Sequence, residues 1–162
     1  MTATKVFLGI GSNIDRDKAI IKSINLLREA FGQLDISPVF ESEAVGFSGN
    51  NFYNLVVSFT TLLSLDQVID IYKDIEDQCG RERTGPKFSA RKLDIDPLLY
   101  DDLICDQPVQ LPRDEILANA YVLWPLSIIA PDQLHPITRH SFAEHWKNYD
   151  KKQKLWQVEM SF

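Results

Sequence analysis

The chain is short of cysteine, of positive charge and of long apolar runs, and each shortage removes a class of protein. The two cysteines in its 162 residues, Cys79 and Cys105, stand far apart and form neither a CxxC motif nor a metal-ligand pair. Ordinary thiols in a reducing compartment fit that usage better than a disulfide framework. Lys and Arg number 17 against 23 Asp and Glu, a net charge of -6. General nucleic-acid binders and partners of anionic membranes need basic surfaces, so neither partner is expected and any phosphate chemistry must be local. No apolar stretch approaches the roughly 18 to 20 residues of a membrane span, and the start MTATKVFLGIGS shows no long apolar region or cleavage site of a signal peptide. A cytoplasmic location is expected.

Two further shortages narrow the chemistry. GIGSNI has two glycines of a dinucleotide fingerprint but Ile14 where the third belongs, and no parallel crossover follows, so it reads as a tight turn. The three histidines, His135, His140 and His145, are five apart. On a helix each would be rotated by about 140° from the last, which predicts that they fan out rather than build a metal site.

What is present suits one domain, residues 1–162, with its own core: 44% of residues are hydrophobic and 25% charged. KVFLGIGS reads as a buried strand. RDKAIIKSINLLREAFG places Ile20, Ile24, Leu27 and Phe31 at helical spacing and stops at Gly32. LDISPVFES and FYNLVVSFTT read as strands joined by the loop EAVGFSGNN. SLDQVIDIYKDIEDQCG is a second helix, with Ser64 as N-cap, Leu65, Val68, Ile69, Tyr72 and Ile75 inside, and Gly80 at its end. RKLDIDPLLY is another strand. The order β-α-β-β-α-β predicts a ferredoxin-like α+β core with two helices on one face of an antiparallel sheet. C-terminal additions follow: a short LICD segment, a helix through RDEILAN, a compact apolar AYVLWPLSIIAP, an amphipathic stretch near SFAEHWKNY, and a solvated KNYDKKQK.

The chemistry concentrates around RKLDIDPLLY. Asp94 and Asp96 interrupt an apolar strand at alternate positions, so their carboxylates share one face with α-carbons about 6.5 to 7 Å apart. Carboxylates so placed call for a cation. Just upstream, GRERTGPKFSARK carries Arg81, Arg83, Lys87, Arg91 and Lys92 against a single acid, Glu82. Taken alone, the basic loop is a solvated surface and the acid pair an edge strand facing water. Taken together, they supply oxygens for Mg2+ and guanidinium forks for polyphosphate. Two magnesium ions about 3.5 to 4 Å apart suit such a pair. Phe52, Tyr121 and Trp124 are most simply core, although a planar heterocycle would use aromatic faces.

GSN after the first strand, FYNLVV, IEDQCGRER, ARKLDIDPLLY and VLWPLSIIAP, in that order, resemble the 6-hydroxymethyl-7,8-dihydropterin pyrophosphokinase family, folate-pathway enzymes that transfer pyrophosphate from ATP to a pterin alcohol. The resemblance spans most of the chain and implies the same ferredoxin-like fold. It implies that Asp94 and Asp96 bind two Mg2+ ions and that Arg81, Arg83 and Arg91 act catalytically on the ATP phosphates, in a loop that closes over the reactants. Glu76 joins those arginines as ATP-binding. The pterin is implied to lie between Phe52 and Tyr121, hydrogen-bonded by Asn54, with the Ser42 to Val45 backbone along its edge. The substrates are then small molecules, ATP and a reduced pterin alcohol, acting on a monomer.

The chain departs from the family at several positions. Arg113 and Asp114 stand where the family usually has a His-Tyr pair, Asn119 where it often has an arginine, Phe88 for the loop tryptophan, and Pro97 for an aliphatic residue. These departures allow an alternative: a divergent pterin- or nucleotide-binding protein with weak or no transferase activity. An RNA-binding ferredoxin-like module is opposed by the net acidity and by the absence of an RRM-type aromatic motif.

Overall fold

The computed structural model describes residues 2–43, 51–80, 93–150 and 152–162. Its elements are β1 (Thr4–Ser12), α1 (Arg16–Phe31), β2 (Asp35–Ile36), β3 (Val39–Ser42), β4 (Phe52–Thr61), α2 (Leu65–Gln78), β5 (Asp94–Tyr100), α3 (Glu115–Ala118), α4 (Ala120–Ile129), α5 (Phe142–Lys147) and β6 (Leu155–Val158). The strands order as β5-β1-β4-β3-β6, with β2 also on β4, and every pairing is antiparallel. The first four positions are the ferredoxin-like order.

The sheet is buried on both faces. Val6, Leu8 and Ile10 of β1 point to one side, where Ile20, Ile24 and Leu27 of α1 and Val68, Ile69 and Ile75 of α2 cover them. Ser64 caps α2 as foreseen: its hydroxyl accepts from Gln67 N at 3.2 Å while the Gln67 side chain accepts from Ser64 N at 2.9 Å. Phe7, Val56 and Leu98 point to the other side, under Ile116, Val122, Leu123, Leu126 and Phe142 of the C-terminal helices. Those additions close the second core, and Trp124 belongs to them, its ring 4.6 Å from Phe40 and 5.1 Å from Trp146.

Four local expectations change. LDISPVFES is two short strands, because Pro38 has no N–H for the ladder; Ser37 spans the break, its hydroxyl accepting from Val56 N at 2.9 Å. AYVLWPLSIIAP contains α4, whose apolar residues on all sides hide helical periodicity because sheet and helices surround it. The far C-terminus adds a strand, β6, paired with β3. The histidines do not fan out. Only His145 is helical, and the Leu134–Ser141 bridge folds the segment back, bringing the rings of His135 and His140 to 5.8 and 6.0 Å from that of His145.

Candidate active site

β5 is an edge strand, so Pro97 is tolerated there: its missing donor leaves no central ladder bond broken. Asp94 and Asp96 lie beside Gly11 and Gly9 of β1, and Gly11 lies beside Asn54 of β4. Paired residues share a face, so Asp94, Gly11 and Asn54 form one row across three strands. Two glycines at alternate positions remove every side chain between the acids and the asparagine. A Cβ on Gly11 would stand 2.8 Å from Asn54 Oδ1, which shows that the Asn54 amide leans over the bare strand. Asn54 Nδ2 donates to Ser42 Oγ at 3.3 Å. Ser42 pairs with Phe52, and all these residues are half-buried, so the row keeps access to solvent.

Glu76 approaches from the opposite face. It is 1% exposed, and its Oε2 accepts from Ile95 N at 2.7 Å. Ile95 stands between the two aspartates, so this buried carboxylate holds the strand segment that aims them. Arg113 approaches from the C-terminal side, with Nη2 at 2.8 Å from Glu115 Oε1 and 3.6 Å from Asp96 Oδ1. Tyr121 closes the group; its hydroxyl accepts from Asn119 Nδ2 at 2.9 Å.

The electrostatics of Asp96 are those of a buried acid beside a second one. Burial, then the neighbouring Asp94, push the Asp96 carboxyl up to about 7, and Arg113 offsets only part of this. Burial, with Glu115 and Asp96 behind it, pushes the Tyr121 hydroxyl up to about 12. Two carboxylates on one face fit Mg2+, which binds through one or two of them and completes its shell with water and phosphate. Among the described residues no group of three or more His, Cys, Asp or Glu gathers into a metal site.

The structure thus brings together Ser42, Phe52, Asn54, Asp94, Asp96 and Tyr121, and sets Glu76 behind them. Val45, Arg81, Arg83 and Arg91 lie outside the described residues. Gly9, Gly11 and Glu115 were not foreseen as site residues. The alternate glycines in LGIGS carry the same period-2 signal as the two aspartates and could have been read by it.

This arrangement defines a class: a ferredoxin-like α+β protein with a carboxylate pair for a hard cation and an open polar-aromatic row on one sheet face. The family model for 7,8-dihydro-6-hydroxymethylpterin-pyrophosphokinase (HPPK) matches residues 7–131. A 2-amino-4-hydroxy-6-hydroxymethyldihydropteridine pyrophosphokinase of Aquifex aeolicus is 36% identical over 142 residues, covering 86% of this chain and 88% of that protein. The enzyme of the same name from Pseudomonas aeruginosa is 31% identical, covering 84% and 86%. The chain belongs to the HPPK family. Among solved structures, an HPPK-DHPS in complex with substrates superposes with a TM-score of 0.73 at 11% identity, over 91% of this chain and 44% of that one. Plasmodium falciparum HPPK-DHPS with pteroate gives 0.70 at 14%, over 91% and 42%. At such identities these two establish the fold alone, and the chain spans less than half of each.

Proposed function

We propose that this chain transfers the pyrophosphoryl group of Mg-ATP to the hydroxymethyl oxygen of 6-hydroxymethyl-7,8-dihydropterin, releasing AMP, as a step of folate synthesis. The observation that carries the reading is the row Asp94-Gly11-Asn54, in which a metal-binding end and a hydrogen-bonding end share one open face. Asn54 and Ser42 present polar groups to the edge of the heterocycle, with Phe52 and Tyr121 as its aromatic walls and the backbone near Val45 beside it. The hydroxymethyl oxygen attacks the β-phosphorus, the bond from that phosphorus to the α,β-bridging oxygen breaks, and the alcohol proton is lost. Asp94 and Asp96 would hold two Mg2+ ions, which would supply neutralisation of the phosphate charge. Arg81, Arg83 and Arg91 bind the transferred group, and Glu76 serves the nucleotide site by fixing the strand between the aspartates. Little covalent work falls to the protein; positioning and charge stabilisation carry the rate.

The single domain acts as a cytoplasmic monomer in this reading, on small molecules, without nucleic-acid or membrane partners. No described helix is long and apolar enough to cross a membrane. A binder without transfer would not need a carboxylate pair aimed at one face. The test is nucleotide analysis of a reaction holding protein, Mg-ATP and the reduced pterin alcohol. AMP should accumulate mole for mole with pterin diphosphate, and ADP as the stoichiometric product would refute pyrophosphoryl transfer.

A further inference from the structure

Arg113 stands where the family resemblance implies a histidine, and the structure places its guanidinium inside the acid cluster. The residue is anchored at its backbone, with Arg113 N donating to Leu98 O of β5 at 3.1 Å and Ile116 N donating to Arg113 O at 3.2 Å. Its head group is held unequally. The 2.8 Å contact to Glu115 Oε1 is a charge-assisted hydrogen bond, whereas the 3.6 Å approach to Asp96 Oδ1 is an ion pair without one. Arg113 Nε is buried and has no hydrogen-bond partner among the described residues. A buried orphan donor is costly, and it marks an arrangement that another acceptor would improve.

One guanidinium therefore spans a carboxylate that keeps it, Glu115, and one that holds it loosely, Asp96. A metal on Asp96 and a guanidinium on the same carboxylate repel each other at such range. We propose that Arg113 is a resident cation of the metal site: it neutralises Asp96 until a metal-polyphosphate arrives, then yields that carboxylate and donates to a phosphate oxygen. Metal and nucleotide then bind together, and metal alone binds poorly. Asn119 stands where the resemblance implies an arginine, and Arg113, six residues upstream, is the guanidinium beside Asp96 among the described residues. The proposal rests on the reading of Asp94 and Asp96 as metal ligands.

Calorimetry tests it on the whole protein, with MgCl2 or MnCl2 alone in one arm and Mg2+ with α,β-methylene-ATP in the other. Arg113→Met should tighten metal-alone binding about three- to tenfold, as the competing ion pair is lost, and weaken the metal-nucleotide complex about tenfold. Arg113→Gln, which keeps a donor for Glu115 but no charge, should do the same, and it carries the test if the Met variant does not fold. Unchanged or weaker metal-alone affinity in a folded neutral variant would overturn the proposal, as would an unchanged nucleotide affinity. Asp96→Asn separates the two levels. If it binds the metal-analogue complex as the unmodified protein does, the metal reading itself fails; if it loses that binding while Arg113 variants change nothing, only the role of Arg113 fails.

Discussion

Gly11→Ala should separate binding from folding. The new methyl would meet Asn54 Oδ1 at 2.8 Å, too close to coexist, but that atom ends a short half-buried side chain held, among the described residues, by one 3.3 Å hydrogen bond to Ser42. Asn54 can turn away. Losing that hydrogen bond and leaving the preferred rotamer costs about 0.5 to 1.5 kcal/mol, and replacing glycine inside a strand returns about 0.5 to 1 kcal/mol. The melting temperature should therefore move by no more than about 2 to 4 °C. Pterin binding has no such offset. If Asn54 holds the pterin edge as proposed, turning it out of the row forfeits those hydrogen bonds, about 1 to 3 kcal/mol, or about 5- to 150-fold in affinity. Gly9→Ala is the control, because the nearest atoms to its methyl are those of Leu98, at an ordinary 3.6 Å. Calorimetry with the reduced pterin, beside thermal melts of both variants, gives the answer. Unchanged pterin affinity in Gly11→Ala, or an equal loss in Gly9→Ala, would refute the reasoning.

Further outcomes follow from the charges around the row. In metal-free protein the Asp96 carboxyl lies near 7 instead of 3.8, so the native state holds its proton more tightly than the unfolded chain does. This group's contribution to stability is full below about pH 4 and is lost as pH rises through about 7; melts in EDTA should show Asp96→Asn more stable than the parent at pH 8 and without metal-nucleotide binding. Glu76→Ala orphans the Ile95 N–H between the aspartates and should cost about 1 to 3 kcal/mol in denaturant unfolding. His135 and His145 are held below their ordinary values, chiefly by burial, with His145 facing His135, and His140 and Glu144 facing His145. Their stabilising effect is present above about pH 6.5 and lost as pH falls, so His145→Gln should flatten the loss of melting temperature between pH 7 and 5.

Elements whose signal is local were legible in the sequence. α1 and α2 show helical spacing with a glycine stop and a serine cap, β1 and β5 are short apolar runs, and their order is enough for the ferredoxin-like frame. Elements defined by their surroundings were not. α4 is apolar all round, β6 is a half-buried edge strand with weak alternation, and the histidine cluster exists only because a bridge folds the chain back. The site divides in the same way. That Asp94 and Asp96 share a face follows from the period of a strand, but that Asn54 lies in their row depends on cross-strand register, which no single segment encodes. Arg113 stood out as a departure from the family pattern; its hold on Asp96 appears only when the C-terminal helices fold onto the second face.

Whether one sheet face delivers a pyrophosphoryl group from nucleotide to pterin is read from the position of an isotopic label. With ATP labelled at the β-phosphorus, magnesium and the reduced pterin alcohol, all transferred label should appear in the pterin product, attached directly to the hydroxymethyl oxygen, with unlabelled AMP released in equal amount. Label retained in ADP, beside a pterin carrying a single unlabelled phosphate, would contradict the account.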